Sequence, residues 1–494
     1  MPRDQFEALS SLVSQSLVTT MHAATMDAEL VRPSTTRNLP SIVEPIRLHA
    51  FDLFMPPLNV RIPMVFKIIP ASGSVPRTTV REQFETIVAK LKASLADALE
   101  LCPPVAGTIH TSPDDASDIT ISCDGRGATF MTQVEGQSYV ESEHTLDGLS
   151  GTDLFCIDGS KTIFAVKLTL FSCGTITMVT SMHHLVADLT SCIDFLRIWD
   201  RLSGDDTGNL VLPESWSRDL NLPAPIALPS IMPGLLNLPP SSGPPPMPAL
   251  RMFDGLRWFI SYASLAQLKT DCTALFSVKD PVRYWISSAD AFTALVWGAM
   301  TRARHDISNK PALPTNEAHA ELESLGVAVD GRERLGLDSP EAGSPTRYFG
   351  NLNLSLAVYT PRINLLEATL EATSRIALAI RKTIQDETTL DAIASRVAFI
   401  EATRPDTTQR IALEGDCRST NWAKHDLTKF DFGLGSNMKS IGTTLATKTI
   451  YPAGMFLISR GTGGLLVATT VEEEADVPLS MDPLLTRYAE LLSN

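Results

Sequence analysis

Apolar residues recur along this chain with two periods, one typical of helices and one typical of strands. The stretch REQFETIVAKLKASLADALELCPP has the helical period and is predicted to form a helix that ends at Pro103. Two later stretches, DITISCDGRGATFMTQV and TIFAVKLTLFSCGTITMVTSM, alternate apolar and polar residues around glycines, and each is predicted to form a β-hairpin. The apolar positions of the helix are Phe84, Ile87, Val88, Leu91, Leu95 and Leu99.

The period changes again at Asp188, inside the segment SMHHLVADLT. The strand before it runs into His183, whereas the residues after it are apolar at helical offsets. Because aspartate is a favoured N-cap residue, Asp188 is predicted to open this helix. His183 and His184 are therefore predicted to lie where a strand ends. The apolar positions of the helix are Leu189, Cys192, Ile193, Leu196 and Trp199.

The middle of the chain is rich in proline, and ten of its 33 prolines fall within residues 222–250. Proline fixes φ and removes a backbone donor, so this segment is predicted to be an extended crossover and not a buried element. We expect an N-terminal domain at residues 1–220, a linker at 221–250 and a C-terminal domain at 251–494. The second half mixes a predicted helix, DAFTALVWGAMTRAR, with strand-like stretches such as NLNLSLAVY and GGLLVATTV, so the fold class is mixed α/β.

Composition narrows the range of functions. A net charge of −15 argues against a general nucleic-acid binder, which needs a basic surface. The chain has no signal-peptide pattern and no apolar run near the roughly 20 residues that span a bilayer. Its seven cysteines are odd in number and form no CxxC pair, which indicates reduced thiols. We therefore expect a monomeric, cytoplasmic enzyme with no membrane partner.

Three interpretations of the two histidines remain open from SMHHLVADLT alone. One is a general base, because histidine titrates near neutral pH. A metal site is disfavoured, because neighbouring strand residues point to opposite faces and cannot easily bind one ion. The third is an ordinary histidine that bonds to backbone beside a capping aspartate. A second segment, NWAKHDLTKFDFGLGSN, bears on this choice, since Gly433 and Gly435 follow Asp431 and permit close backbone approach.

Together the two segments resemble the signatures of the BAHD acyltransferases, HxxxD and DFGWG. Here they read His184 to Asp188 and Asp431 to Gly435. Four weaker family features occur in the expected order, and the chain is most similar in character to fungal trichothecene acetyltransferases. Two positions depart from the family pattern, Leu189 in place of a glycine and Leu434 in place of a tryptophan. The four weaker features are LKASLADALELCPPVAG, ISSADAFTALVWGAMTRAR, VDGRER and YFGN.

The resemblance implies two similar chloramphenicol-acetyltransferase-like domains with a channel between them. It also implies transfer of an acyl group, acetyl by default, from acyl-CoA to a hydroxyl of a small secondary metabolite. His184 would be the general base, with direct transfer, no metal and no bound cofactor. Acyl-CoA is thus a co-substrate.

The remaining site residues come partly from the resemblance and partly from their positions in the chain. Asp188 is expected to hold its loop through a helix cap and an ion pair with an arginine. Asp431 is expected to pair with Arg332, or failing that with Arg334. The resemblance implies that Thr420 and Trp422 line the pantetheine arm of coenzyme A, with a core tryptophan as the alternative. Arg302, Arg304 and Lys439 are candidate phosphate contacts chosen by position alone, with a solvated surface charge as the alternative.

Two other functions share these motifs. A stand-alone condensation-type domain has HHxxxD and would use a carrier-bound thioester. A binding protein could keep the fold without activity, an alternative that Leu189 and Leu434 leave open. The intact His184, Asp188 and Asp431 favour an enzyme.

Overall fold

The computed structural model describes most of the chain outside the first 25 residues. The described residues are 26–37, 42, 44–55, 59–68, 77–112, 118–139, 162–204, 212, 216–225, 232–237, 253–276, 285–307, 322–338, 348–403, 411–413, 415–434, 438–442, 448–449 and 454–492. Within them, no helix is both long and apolar enough to cross a membrane.

Ten α-helices are present in the described part of the chain. They are α1 (Ala50–Phe54), α2 (Arg77–Leu101), α3 (Leu189–Ser203), α4 (Tyr262–Thr273), α5 (Ser288–Ile307), α6 (Arg362–Leu366), α7 (Leu370–Glu387), α8 (Leu390–Ala402), α9 (Glu473–Ser480) and α10 (Leu485–Tyr488).

Nineteen strands accompany these helices in the same residues. They are β1 (Met26–Val31), β2 (Ile46–Arg47), β3 (Asn59–Ile68), β4 (Thr108–Thr111), β5 (Ile119–Ser122), β6 (Ala128–Val134), β7 (Phe164–Leu170), β8 (Thr175–His183), β9 (Leu235–Asn237), β10 (Phe253–Ser261), β11 (Leu322–Asp330), β12 (Asn353–Pro361), β13 (Ile411–Leu413), β14 (Cys417–Asn421), β15 (Met438–Gly442), β16 (Lys448–Thr449), β17 (Met455–Gly461), β18 (Gly464–Thr470) and β19 (Glu490–Leu491).

Two large sheets organise these elements. The first has the strand order β1-β6-β7-β8-β3-β15, and the second has the order β12-β11-β14-β17-β18-β10-β16, with β19 paired to β10. Both sheets are mixed, since β6 runs parallel to β7 and β14 runs parallel to β11 and β17. Helices α2 and α3 pack together in the first hydrophobic core, and α5 and α7 lie in the second.

The predicted elements near the histidines are confirmed. Helix α2 ends just before Pro103, and β7 and β8 form an antiparallel hairpin that turns at Gly174. Asp188 is the N-cap of α3, where its side chain accepts the Ser191 N–H. The buried residues of these elements recur at the predicted apolar spacing, because each amphipathic element packs its apolar face against a neighbouring element.

Two other predictions from the pattern are wrong. The stretch DITISCDGRGATFMTQV contains β5 and β6, which pair with strands of different sheets and not with each other. The proline-rich segment is not wholly extended and unburied, because Met232 and Leu235 are buried and β9 pairs with β13. Local alternation cannot reveal either outcome, since strand partners are chosen by tertiary packing.

The two sheets do not divide strictly at the proline-rich segment. Strand β15, from the second half of the sequence, pairs antiparallel with β3 of the first sheet. Phe430 and Phe432 likewise belong to the first hydrophobic core. The boundaries 1–220, 221–250 and 251–494 stay predictions, and the second half of the chain contributes to both cores.

Candidate active site

A tight turn joins β8 to α3 and carries His184. The Val186 N–H donates to the His183 carbonyl at 2.9 Å, and the Asp188 side chain caps the helix by accepting the Ser191 N–H at 3.0 Å. His184 is half-buried, whereas Leu185, Val186 and Ala187 are buried. The turn is thus anchored by apolar residues and leaves the His184 side chain partly accessible.

Asp188 forms an ion pair with Arg332, as the expectation of an arginine partner requires. Arg332 donates from Nη1 to Oδ2 and from Nη2 to Oδ1, each at 2.9 Å. Asp188 Oδ2 also accepts the Leu352 N–H at 2.9 Å. Such a two-pronged guanidinium–carboxylate pair fixes both groups in direction as well as distance. The aspartate therefore connects the turn at His184 to the segment that follows β11 and to the start of β12.

Arg332 is fully buried, and its remaining donors are also satisfied. It donates to Asp330 Oδ1 at 3.0 Å, to the Gly350 carbonyl at 2.8 Å and to Ser191 Oγ at 2.9 Å. Burial alone would lower the pKa of Arg332, but the charges of Asp188 and Asp330 raise it above its ordinary value. The guanidinium therefore stays charged and serves as the centre of this buried network.

Asn351 contacts His184 on two sides. Its Oδ1 lies 3.2 Å from His184 Nδ1, and its Nδ2 donates to the His184 carbonyl at 2.7 Å. Its backbone N–H and Nδ2 both donate to Asp52 Oδ1 at 2.9 Å. The imidazole is consequently held on its Nδ1 side, and the geometry fits a ring that carries its proton on Nδ1.

Burial lowers the pKa of His184 below its ordinary value, against opposing contributions that include its own carbonyl, Asp188 and Asn351. Burial also lowers the pKa of His183 to about 4, with the charge of His184 acting in the same direction. Both rings are thus neutral at pH 7. The Leu185 N–H approaches His183 Nδ1 at 3.3 Å, so His183 engages the backbone of the turn. Among the described residues, no cluster of His, Cys, Asp or Glu could hold a metal ion.

Asp431 does not pair with Arg332, and that expectation is wrong. Its side chain accepts the Gly433 N–H at 2.8 Å, and its own N–H donates to Asp200 at 3.0 Å. Asp200 lies near the end of α3, about 18 Å along the helix axis from Asp188 at a rise of about 1.5 Å per residue. Arg332 already has a partner at the other end of that helix. Asp431 thus shapes its own turn and does not reach the histidine.

The segment after Asp431 packs tightly against the end of α3. Gly433 has φ +62, and a Cβ there would lie 2.0 Å from the Ser203 carbonyl oxygen. Phe432 also has a positive φ, and its buried ring contacts Trp199. The Lys90 ammonium donates to the Gly433 carbonyl at 2.9 Å. Glycine is therefore required at 433, whereas Gly435 lies outside the described residues.

Arg302 and Arg304, which the sequence placed as phosphate contacts, are held in ion pairs elsewhere. Arg302 is bidentate with Asp482 at 2.7 and 3.0 Å, and Arg304 binds Glu472 at 3.0 Å. Both arginines lie on α5, and their position in the sequence could not reveal these carboxylate partners. Their guanidinium groups are thus already neutralised by carboxylates, which argues against the predicted phosphate contact.

The other predicted coenzyme A contacts stay predictions. Thr420 lies in β14, and Trp422, just after this strand, packs partly buried against the first core. Lys439 lies in β15 opposite Lys67. Leu189 and Leu434, the two departures from the family pattern, both pack against the first core. Each large side chain thus contacts apolar residues of this core.

Three residues of the site were missed by sequence reasoning. Asn351 ends the quoted YFGN segment, so a signal for it existed, but nothing in the sequence assigned it to His184. Asp52 and Arg218 gave no signal, because they join the site only through long-range contacts. Arg218 donates to the Val186 carbonyl at 2.9 Å and lies 3.4 Å from Asp52.

Comparison with known proteins identifies the family of the chain. The model of the Transferase family matches residues 25–475 of the chain. The chain belongs to this family, that of the BAHD transferases. The recognition made from HxxxD and DFGLG is confirmed.

Curated relatives match this BAHD transferase over part of their length. Acyltransferase uat1 of Mycosarcoma maydis is 24% identical over 339 residues, 62% of this chain and 62% of that protein. Hydroxycinnamoyltransferase 1 of Oryza sativa subsp. japonica is 25% identical over 285 residues, 53% of this chain and 57% of that protein. The aligned parts therefore span about three fifths of these relatives.

Solved structures match over nearly the whole chain. TRI101 of F. graminearum, complexed with coenzyme A and deoxynivalenol, aligns with a TM-score of 0.67 and 16% identity, covering 91% of this chain and 100% of that one. Vinorine synthase aligns with a TM-score of 0.60 and 18% identity, covering 94% and 98%. These likenesses confirm the mixed α/β fold of the BAHD transferases.

Proposed function

We propose that this BAHD transferase is an acyl-CoA-dependent O-acyltransferase that transfers an acyl group, acetyl by default, to a hydroxyl of a small secondary metabolite. Family membership and the names of the relatives support the class of reaction. The coenzyme A and deoxynivalenol bound by TRI101 of F. graminearum support a small alcohol as acceptor. From the sequence we expect the enzyme to act as a cytoplasmic monomer.

The observation that carries the proposal is the setting of His184. The ring is half-buried and neutral, and Asn351 Oδ1 faces its Nδ1 at 3.2 Å. Nε2 is then the nitrogen with a lone pair to offer. A neutral imidazole with its lone pair directed away from the protein anchor is what a general base requires.

In the proposed reaction, His184 Nε2 takes the proton of the acceptor hydroxyl as its oxygen attacks the thioester carbonyl carbon. A C–O bond forms and the C–S bond breaks, and the imidazolium returns its proton to the departing sulfur. Donor and acceptor are bound together, so no acyl-enzyme forms. Asp188 and Arg332 hold the turn, and Asp431 holds the backbone at the far end of α3.

The test is incubation of the purified protein with a panel of acyl-CoAs and alcohols, followed by thiol release and product mass. We expect release of free coenzyme A to depend on the alcohol, to match the ester formed and to survive strong chelators. Reaction only with a carrier-loaded acyl group would indicate a condensation-type domain instead. Ligand-induced stabilisation without turnover would indicate a binding protein. A rapid burst of thiol without acceptor would indicate an acyl-enzyme.

A further inference from the structure

A line of buried polar groups leads from His184 to Asp52, which lies in α1. His184 Nδ1 faces Asn351 Oδ1 at 3.2 Å, and Asn351 Nδ2 donates to Asp52 Oδ1 at 2.9 Å. Asp52 and Asn351 are both fully buried. In the sequence, Asn351 lies 167 positions from His184 and 299 positions from Asp52. The tertiary fold, and not closeness in the sequence, therefore brings His184, Asn351 and Asp52 together.

Asp52 is held on every side by donors. Its Oδ2 accepts the His49 N–H at 2.9 Å, and its Oδ1 accepts both the backbone N–H and Nδ2 of Asn351 at 2.9 Å. Arg218 Nη1 lies 3.4 Å away and is itself buried. A carboxylate whose two oxygens face N–H groups and a buried guanidinium acts as a hydrogen-bond acceptor.

This requirement determines which way the Asn351 amide points. An asparagine side chain has two orientations that exchange its oxygen and nitrogen. Asp52 and the His184 carbonyl are both acceptors, so the amide nitrogen must face them with its two hydrogens. The amide oxygen is left facing His184 Nδ1, and only a protonated Nδ1 can donate to it.

We propose that Asp52 is a positioning residue that fixes the Asn351 amide and thereby holds His184 in the tautomer with its proton on Nδ1. Nε2 then carries the lone pair that accepts a proton. The consequence for turnover rests on the proposed acyltransferase function, whereas the tautomer itself does not. Arg218 also donates to the Val186 carbonyl, so the same buried cluster holds the turn at two of its carbonyls.

The first measurement uses the unmodified protein without substrate. With ¹⁵N-labelled histidine, the ring nitrogen shifts of neutral His184 distinguish the two tautomers, and His184→Gln assigns its signals among the nine histidines. We expect the Nδ1–H tautomer. A predominant Nε2–H tautomer would overturn the proposal, whatever the enzyme's activity proves to be.

The second measurement compares Asp52→Asn with a matched control, Asp290→Asn. Asp290 is also buried, accepts the N–H of the residue three positions earlier, Ser287, and pairs with an arginine, Arg381. It lies in the first turn of α5, whose apolar residues belong to the second core, whereas His184 follows β8 of the first sheet.

Both variants are expected to lose stability, but only Asp52→Asn should change the histidine. An asparagine at 52 has one acceptor oxygen where Asp52 has two, so it holds the amide nitrogen of Asn351 less firmly and signals of the Nε2–H tautomer should appear. For the same reason kcat should fall roughly 10-fold or more with KM for acyl-CoA nearly unchanged, since a base held in the wrong tautomer is ineffective. Unchanged tautomer populations in folded Asp52→Asn, or an equal loss of kcat in Asp290→Asn, would overturn the proposal. If Asp52→Asn fails to fold, the tautomer of the unmodified protein decides.

Discussion

Arg332 and Asp188 are joined by two parallel hydrogen bonds of 2.9 Å, although they lie 144 positions apart in the sequence. Asp188 opens α3 beside the first sheet, and Arg332 follows β11 of the second sheet. The pair is buried, and the arginine has no exposed surface. The ion pair therefore links the end of the turn that carries His184 to the segment that follows β11 of the second sheet.

Breaking this pair from one side should be costly. Asp188→Ala or Arg332→Ala leaves a buried charge without its partner, which costs roughly 3–5 kcal/mol of unfolding free energy. The double variant should be little worse than either single variant, because each removes the same interaction. Urea denaturation measures the three free energies of unfolding.

The matched comparison for this cycle is Asp431→Ala combined with Arg332→Ala. Because Asp431 bonds to Gly433 and Asp200 at the far end of α3, the two losses should add. Strong coupling between Asp431 and Arg332, or additivity between Asp188 and Arg332, would contradict the arrangement described above.

Replacing either histidine should separate their roles. His184→Ala should lower kcat by about 100-fold or more, since loss of a general base commonly has that effect. His183→Ala removes only the side chain that meets the Leu185 N–H, and its activity should remain within about 10-fold of the parent. Steady-state kinetics with acyl-CoA and an accepted alcohol compare the two. A larger loss in His183→Ala than in His184→Ala would mean that His184 is not the base.

The sequence predicted local structure near the site well, because apolar periodicity and capping are local properties. Asp188 at the N-cap of α3 and the hairpin that ends at His183 follow from nearby residues alone. The pairing of β5 and β6 with strands of different sheets could not be predicted in this way. The alternation of apolar and polar residues is the same whether the two strands pair with each other or with other strands.

The partners of charged residues were the main gap. The sequence assigned Arg332 to Asp431 by resemblance, but two aspartates competed and only the fold shows that Asp188 is close. Arg302 and Arg304 were chosen by their position in the chain, and their carboxylate partners lie 180 and 168 positions further along. Asp52 could not be selected at all, because its significance comes entirely from Asn351 and Arg218.

Gly433→Ala should destabilise the protein by more than the free-energy cost of placing an alanine in the left-handed conformation. The matched control is Gly336→Ala, since Gly336 has φ +66 against +62 for Gly433, but no described atom lies within 4 Å of where an alanine Cβ would stand at 336. The control should lose about 1–2 kcal/mol for the left-handed conformation. Gly433→Ala must in addition displace the Ser203 carbonyl, so its loss should clearly exceed that value. Equal losses of stability in the two variants would show that the Ser203 carbonyl at the end of α3 moves aside at no cost in free energy.

Asp200 should make stability depend on pH in an unusual direction. Burial raises the pKa of Asp200 to about 6, with the charge of Asp431 adding to the effect and the N–H groups of Phe432 and Asp431 opposing it. Between pH 3.8, its ordinary pKa, and about 6, the folded protein keeps a proton that the unfolded chain has lost. The contribution of Asp200 to stability therefore falls as pH rises through this window and stays low above it.

Asp200→Asn should remove that dependence while keeping an oxygen for the two N–H groups, which now meet Oδ1 at 3.0 and 2.5 Å. Relative to the parent, the variant should gain stability as pH rises from about 4 to about 6, by an amount of order 1 kcal/mol. Asp271→Asn is the control of opposite sign, because hydrogen bonds from Tyr488 and Gln267 lower the pKa of Asp271. The stability of Asp271→Asn relative to the parent should instead fall as pH rises from strongly acid values to about 3.8, the ordinary pKa of Asp271. Melting temperatures of the three proteins from about pH 2 to about pH 7 measure both differences, because the window of Asp271 lies below its ordinary pKa of 3.8. A flat difference for Asp200→Asn would mean that Asp200 is ionised throughout and that its two N–H bonds outweigh its burial.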